Sequence, residues 1–165
     1  PCGVTVLDED HIVYVLRIAA NRLVGARLST GSRIPAWCTA GGRVLLGSLD
    51  EATLGEYLRN LKADKLTPKT LTDKTRLRAE IRRVARQGWC ITDQQIDHGV
   101  RALAVPLHNA TGDTVAALNV SCYSGRVSLQ DLARRFLPRL QATARAIESD
   151  LRANVDAPAL YKATG

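Results

Sequence analysis

The sequence predicts an α+β fold with a mostly antiparallel sheet flanked by helices. Three observations carry this expectation. β-rich runs sit at both ends of the chain's first two-thirds, amphipathic helical segments cluster between them, and a helical segment follows. Clustered strands and helices argue against an alternating βαβ wind. At 165 residues, with 45% hydrophobic and 24% charged residues, the chain is long enough for one domain with a real core.

Residues 4–7 (VTVL) and 11–18 (HIVYVLRI) flank Asp8-Glu9-Asp10, the pattern of an antiparallel hairpin. Residues 22–29 (RLVGARLS) read as a third strand, ending in the turn residues Thr30-Gly31-Ser32. A short helix is expected over 37–46, behind Thr39, Ala40, Gly41 and Gly42. Ser48-Leu49-Asp50-Glu51 matches a capping box, and Leu54, Leu58 and Leu61 recur at helical spacing, so a second helix is expected over 50–61, close to the first. Asp73 can cap a basic helix that stops near Gly88. Residues 89–92, 100–108 and 114–123 read as strands, the last two joined by the turn Asn109–Asp113. Ser128-Leu129-Gln130-Asp131 opens a long helix to about Arg152. Pro138 should kink or break it.

The chain opens on Pro1 and contains no methionine, which reads as a piece of a longer protein. No apolar run reaches the roughly 18 residues of a membrane span, and no export signal opens the chain, so a cytoplasmic location is expected and no membrane partner. The net charge of +7 raises the possibility of a nucleic-acid module. The basic residues between Lys62 and Arg86, however, alternate with Leu77, Ile81 and Val84, which suits a solvated helix face. Two Trp, four Tyr and one Phe give few stacking platforms.

Cysteines 2, 38, 90 and 122 and histidines 11, 98 and 108 lack metal-ligand spacing, so neither a metal nor any other cofactor is expected. No nucleophile elbow, P-loop or metalloprotease helix is present. The one enzymatic alternative is a reactive thiol at Cys38, where a helix N-terminus could lower its pKa. A binding pocket is easier to build. Asn119 and Ser121 share one face of an otherwise apolar strand, and buried polar groups need partners. Bare amides at the glycine turn carry about half a positive charge and can receive a carboxylate.

GSRIPAWCTAGGRVLL (31–46), LTDKTRLRAEIRRVARQGW (71–89) and HGVRALAVPLHNATGDTVAALNVS (98–121) stand in order along the chain. Together they resemble the ligand-binding half of IclR-type bacterial transcription regulators, over nearly all of Val4–Arg152. The resemblance implies a GAF- or profilin-like domain over residues 1–154, with a tail over 155–165. It also implies a preceding winged helix-turn-helix that contacts DNA and is absent from this chain, and assembly as a homodimer or homotetramer. A small organic acid is the ligand that the resemblance implies. The matching positions are Thr39, Ala40 and Gly41 at the turn, Asp93, Val100 and Ala102, and Asn119 and Ser121 on the later strand. Ala102 and Asn119 stand where some relatives carry cysteine or serine. RIPAWCT, VRALAVP, ALNVS and RFLPRLQATA resemble regulators of aromatic-acid breakdown, implying protocatechuate, 4-hydroxybenzoate or β-ketoadipate. Arg33, Arg43 and Arg101 are candidate carboxylate partners.

Overall fold

The structure, a computed structural model, describes residues 1–18 and 28–155. Its core is a six-stranded antiparallel sheet in the order β3-β2-β1-β6-β5-β4. The strands are β1 (Cys2–Asp8), β2 (His11–Ile18), β3 (Arg33–Pro35), β4 (Cys90–Asp93), β5 (Val100–His108) and β6 (Thr114–Tyr123). Helices α1 (Ala40–Gly47), α2 (Glu51–Asn60) and α3 (Lys74–Gln87) lie between β3 and β4. After β6 comes one long helical segment: α4 (Leu129–Asp131), a π-helical turn (Leu132–Phe136) and α5 (Leu137–Val155). The α+β expectation therefore holds.

Both faces of the sheet are covered. Ile12, Ala104 and Ala117 pack with Val44, Leu45 and Leu46 of α1 and Leu77, Ile81 and Val84 of α3. On the opposite face Leu103, Val105 and Leu118 pack with Leu132, Leu137 and Ala144 of the C-terminal helical segment. Double coverage explains why β5 and β6 read as near-continuous apolar runs rather than as polar–apolar alternations. α1 is buried almost all round, as a helix without a polar face must be. It packs chiefly on the sheet and on α3, not on α2 as the sequence suggested. Gly47 meets Ala85 there, so neither helix presents a bulky side chain at the contact.

Several local expectations are corrected. The third strand expected over 22–29 falls largely outside the described residues, and the strand observed beside β2 is Arg33–Pro35. α1 starts at Ala40 rather than Trp37, because Thr39 has extended backbone and caps it. Ser48 does not open α2. It closes α1, its hydroxyl donating to Leu45 O at 2.7 Å, while Asp50 caps α2 by accepting from Thr53 N at 2.9 Å. Pro138 does not end the helical segment, which runs on to Val155. Leu137 N–H instead donates five residues back to Leu132 O, and α5 restarts with proline in its first turn, where its missing N–H costs nothing. The remaining caps appear as expected, Asp73 on Arg76 N, left-handed Gly88 after α3, and the Ser128–Asp131 capping box. α5 continues to Val155, and the expected tail beyond it lies outside the described residues.

Candidate functional site

Thr39 organises the turn before α1. Its hydroxyl accepts from Gly42 N and donates to Ala36 O, each at 3.1 Å, and its carbonyl accepts from Arg43 N. Helix geometry leaves the amides of Ala40 and Gly41 without an intrahelical acceptor. The glycines are needed for close approach. A Cβ on Gly42 would lie 2.0 Å from Ala36 O, and one on Gly41 would lie 2.9 Å from Thr5 Oγ1 and 3.7 Å from Ala117 Cβ. Bare backbone is thereby pressed onto the sheet at β1 and β6.

Ala117 is two residues before Asn119 on the same strand face, so the α1 N-terminus and Asn119 lie roughly 7 Å apart along β6. Register places Ala102 opposite Ser121 and Ala104 opposite Asn119, with Gly3 on the other flank of Asn119. Period two puts Val100 on this face as well. The structure thus brings Thr39, Ala40, Gly41, Val100, Ala102, Asn119 and Ser121 to one side of the sheet. Asn119 is 4% exposed, and neither its Oδ1 nor its Nδ2 has a hydrogen-bond partner among the described residues. Leaving such a group unsatisfied costs about 1–3 kcal/mol. Its strand neighbours, Gly3 and Ala104, are too small to reach it.

Two residues that sequence reasoning passed over belong to the same patch. Thr92 is buried and pairs with Ala102 in register. The signal was available, since Thr92 is a polar residue in an apolar strand, as Asn119 is. Tyr14, 4% exposed, lays its ring against Gly3, about 3.0 Å from where a Cβ would be, and the Arg17 guanidinium carbon lies over the ring, 5.0 Å from its centre. Its placement depends on a bulge that pairs Thr5 with Tyr14 but Val4 with Leu16, and no periodicity reveals that.

Asp93 and the three arginines do not join Asn119. Asp93 pairs in register with Arg101, and alternation turns both toward the opposite face. Asp93 holds Lys69, Arg101 Nε at 2.7 Å and Gln94. Arg101 also ties down the carbonyls of Ser124 and Val127. Arg33 is exposed on β3 and paired with Asp8. Arg43 is buried, donating to Trp37 O at 2.9 Å and Gln95 Oε1 at 2.5 Å. Burial alone would raise the Asp93 carboxyl, but hydrogen bonds from Lys69, Arg101 and Gln94 bring it down to about 2. A depressed carboxylate stabilises above its unfolded value and loses that contribution as pH falls through its folded value. Asp93→Asn is therefore expected to lower the unfolding midpoint at pH 7, with the deficit shrinking between about pH 4 and pH 2. Denaturant titrations of both proteins across that range check it.

The alternative chemistries find no footing. Cys38 is buried with Sγ donating to Pro35 O at 3.6 Å, and burial pushes its thiol up to about 11. Desolvation outweighs the helix-terminal effect expected from the sequence, so the thiolate is scarce at neutral pH. On α3, Arg82 bonds Leu49 O and pairs with Glu51, while Arg83 grips Glu80. Arg76, Arg78, Arg83 and Arg86 are exposed, the solvated helix face that the sequence suggests. Among the described residues no group of His, Cys, Asp and Glu could hold a metal, and no helix is long and apolar enough to cross a membrane.

Residues 1–149 match the family described as the bacterial transcriptional regulator IclR C-terminal. The Pca regulon regulatory protein of Pseudomonas putida is 45% identical over 140 residues, covering 84% of this chain and 48% of that protein. A transcriptional regulator from Rhodococcus sp. RHA1 superposes with TM-score 0.89 at 41% identity, covering 94% of this chain and 63% of that one. The inducer-binding domain of PobR from Acinetobacter, a double mutant in complex with 3-hydroxybenzoic acid, gives TM-score 0.83 at 34% identity, covering 89% and 86%. The chain spans about half the length of the curated relatives it matches. Those relatives are named as regulators, not as enzymes. The chain belongs to the IclR family of bacterial transcriptional regulators, as its C-terminal, effector-binding domain.

Proposed function

We propose that this domain binds a small acid of aromatic catabolism, such as protocatechuate, 4-hydroxybenzoate or β-ketoadipate, between the α1 N-terminus and the sheet. The observation that carries the reading is the buried, unpartnered amide of Asn119 beside the amides of Ala40 and Gly41. A carboxylate suits the helix terminus, where about half a positive charge gathers. Asn119 offers one acceptor and two donors, and a phenolic hydroxyl can satisfy both kinds at once. The Tyr14 ring supplies an aromatic wall. Ser121, Thr92 and Thr5 are further polar groups on this face, and Thr39 holds the turn in place. The identity to regulators named for the Pca regulon, and the likeness to a domain complexed with 3-hydroxybenzoic acid, support the same ligand class.

In this reading the domain acts in the cytoplasm, within a homodimer or homotetramer whose N-terminal winged helix-turn-helix contacts DNA. Ligand shifts DNA affinity only by its differential affinity for two packing arrangements. Thermal unfolding of the chain against protocatechuate, 4-hydroxybenzoate, β-ketoadipate, glyoxylate and pyruvate tests the ligand class. At a hundredfold excess over its Kd a ligand adds about 2.7 kcal/mol, which raises the midpoint by roughly 5–10 °C. A selective shift with one aromatic-pathway acid is expected. A flat response to the first three overturns the assignment.

A further inference from the structure

The two edges of the sheet are finished differently. At one edge β3 is three residues long and ends in Pro35, which has no N–H to offer, with Arg33 exposed beside it. Proline, charge and shortness are how natural sheets keep an edge from pairing. At the other edge β4 is also short but carries no proline, and its outer side opens into a cleft of about 580 Å³. The cleft is lined from both faces of the sheet, by Ile91, Asp93 and Leu129 on the α5 side and by Arg76 and Glu80 of α3 on the other. It therefore runs along the edge itself.

Register decides which backbone groups point into it. Gln94 N–H donates to Val100 O at 2.7 Å, so Gln94 and Val100 form a hydrogen-bonded pair. In an antiparallel ladder such pairs alternate with pairs that exchange no bond. Thr92–Ala102 and Cys90–Ala104 are then bonded pairs, and Ile91 and Asp93 turn their N–H and C=O groups outward, into the cleft. Among the described residues nothing donates to or accepts from these outward groups. The edge is half of a ladder, and the place of the next strand, about 4.8 Å away, lies in the cleft.

Charge selects the strand that fits. Lys65 and Arg76 are exposed at the cleft and, among the described residues, pair with no carboxylate. The carboxylates that line it are engaged, Asp73 in capping Arg76 N, Glu80 with Arg83, and Asp93 with Lys69 and Arg101. A second copy of this chain would bring its own Lys65 and Arg76, and a net charge of +7, against the first set. An acidic chain would meet them favourably. On the α5 side the cleft presents Ile91 and Leu129, the latter 43% exposed, so one face of an added strand meets apolar surface. We propose that β4 receives a seventh strand from a partner protein, an extended segment in which acidic residues alternate with apolar ones. The acidic side chains lie toward Arg76 and α3, and the apolar ones lie on Ile91 and Leu129. Backbone pairing gives such a complex its affinity, and the alternate side chains give it selectivity.

Amide exchange followed by NMR on the 165-residue chain tests the proposal, with the acetylated, amidated peptide Glu-Val-Glu-Val-Glu-Val as probe. In the free chain the Ile91 and Asp93 amides should exchange fast, and the Thr92 amide, on the ladder to β5, slowly. Saturating peptide should slow Ile91 and Asp93 by about tenfold or more. Titrations at fixed ionic strength separate strand pairing from charge. The peptide Lys-Val-Lys-Val-Lys-Val should not bind. Of two N-methylated forms, one blocked at the glutamates and one at the valines, only the form blocked on the edge that meets β4 should lose affinity. The double variant Lys65→Gln/Arg76→Gln should bind about tenfold more weakly, the loss of two exposed charge pairs. Both residues are exposed, so it should fold, and circular dichroism checks that it does. No binding, equal binding of the lysine peptide, binding without protection of Ile91 and Asp93, no loss in either N-methylated form, or undiminished affinity in the double variant each overturns the proposal. Slow exchange of both amides in the free chain would mean that the edge is already covered, by a second copy where protection grows with protein concentration, and overturns it as well.

Discussion

Gly42→Ala is expected to lower the unfolding midpoint of this domain by roughly 10 °C, the largest loss of any single methyl addition at its glycines. The added Cβ would sit 2.0 Å from Ala36 O, 2.4 Å from Ala36 Cα and 2.5 Å from its carbonyl carbon. All three are backbone atoms, so no side-chain rotation relieves the overlap. The turn itself must open. Opening it breaks the Thr39 cap on Gly42 N and the Thr39 N–Ala36 O bond together, because both depend on the same close approach. Overpacking typically costs about 1–3 kcal/mol, and backbone overlap plus a lost cap belongs at the upper end or beyond. Gly112→Ala is the control. Gly112 has φ +88 and open space around the added methyl, so only backbone strain, about 1 kcal/mol, is at stake. Thermal scans of the two variants beside wild type decide the matter. A Gly42→Ala midpoint no lower than that of Gly112→Ala would mean that the α1 turn does not press on Ala36 as described.

How much of this was legible beforehand differs between the fold and the site. Strands β5 and β6 could be read to the residue, because Val100–His108 and Thr114–Tyr123 are bounded by a glycine on one side and an Asn-to-Asp turn between them. The caps at Asp73 and Ser128 were equally plain, being local chemistry in which a side chain satisfies a backbone amide three residues on. Ser48 misled because a serine two residues before a true cap carries the same pattern, and only the end of α1 decides which role it takes. Pro138 misled because a π turn just before it reroutes the hydrogen bonds, an adjustment invisible to propensity.

In the site, period two placed Asn119 with Ser121 on one strand face, whereas Val100 and Ala102 came from the family resemblance. The same alternation could equally have separated Asp93 from them. Asp93 and Thr92 are neighbours on one strand and must face opposite ways, so only one of them could join Ala102. A carboxylate draws attention as chemistry, but register selects the threonine. The fate of Cys38 follows from a similar competition. A helix N-terminus lowers a thiol pKa and burial raises it, and the sequence displays the first effect while concealing the depth of the second.

Asn119→Leu is expected to move stability and ligand response in opposite directions. The amide is buried with both polar atoms unpartnered, so a near-isosteric apolar side chain removes an unsatisfied donor and acceptor at once. Relief of about 1–3 kcal/mol should raise the midpoint of the ligand-free chain by several degrees. The same change removes the group that would meet the hydroxyl of an aromatic acid. The midpoint rise that protocatechuate or 4-hydroxybenzoate gives in wild type, roughly 5–10 °C, should fall to near zero in the variant. Natural domains tolerate such a stability deficit where function requires a buried polar group left free for a ligand, so gain and loss in one variant are what a binding residue predicts. A residue kept only for structure predicts something else. Were Asn119 satisfied by water and serving the fold, the leucine variant would unfold at a lower temperature than wild type and would keep its ligand shift. A more stable variant that still responds fully to the acid would leave the amide's strain relieved but place the ligand elsewhere, away from the α1 turn and β6. Only the paired result, a higher ligand-free midpoint with the shift abolished, ties the unpartnered amide of Asn119 to recognition.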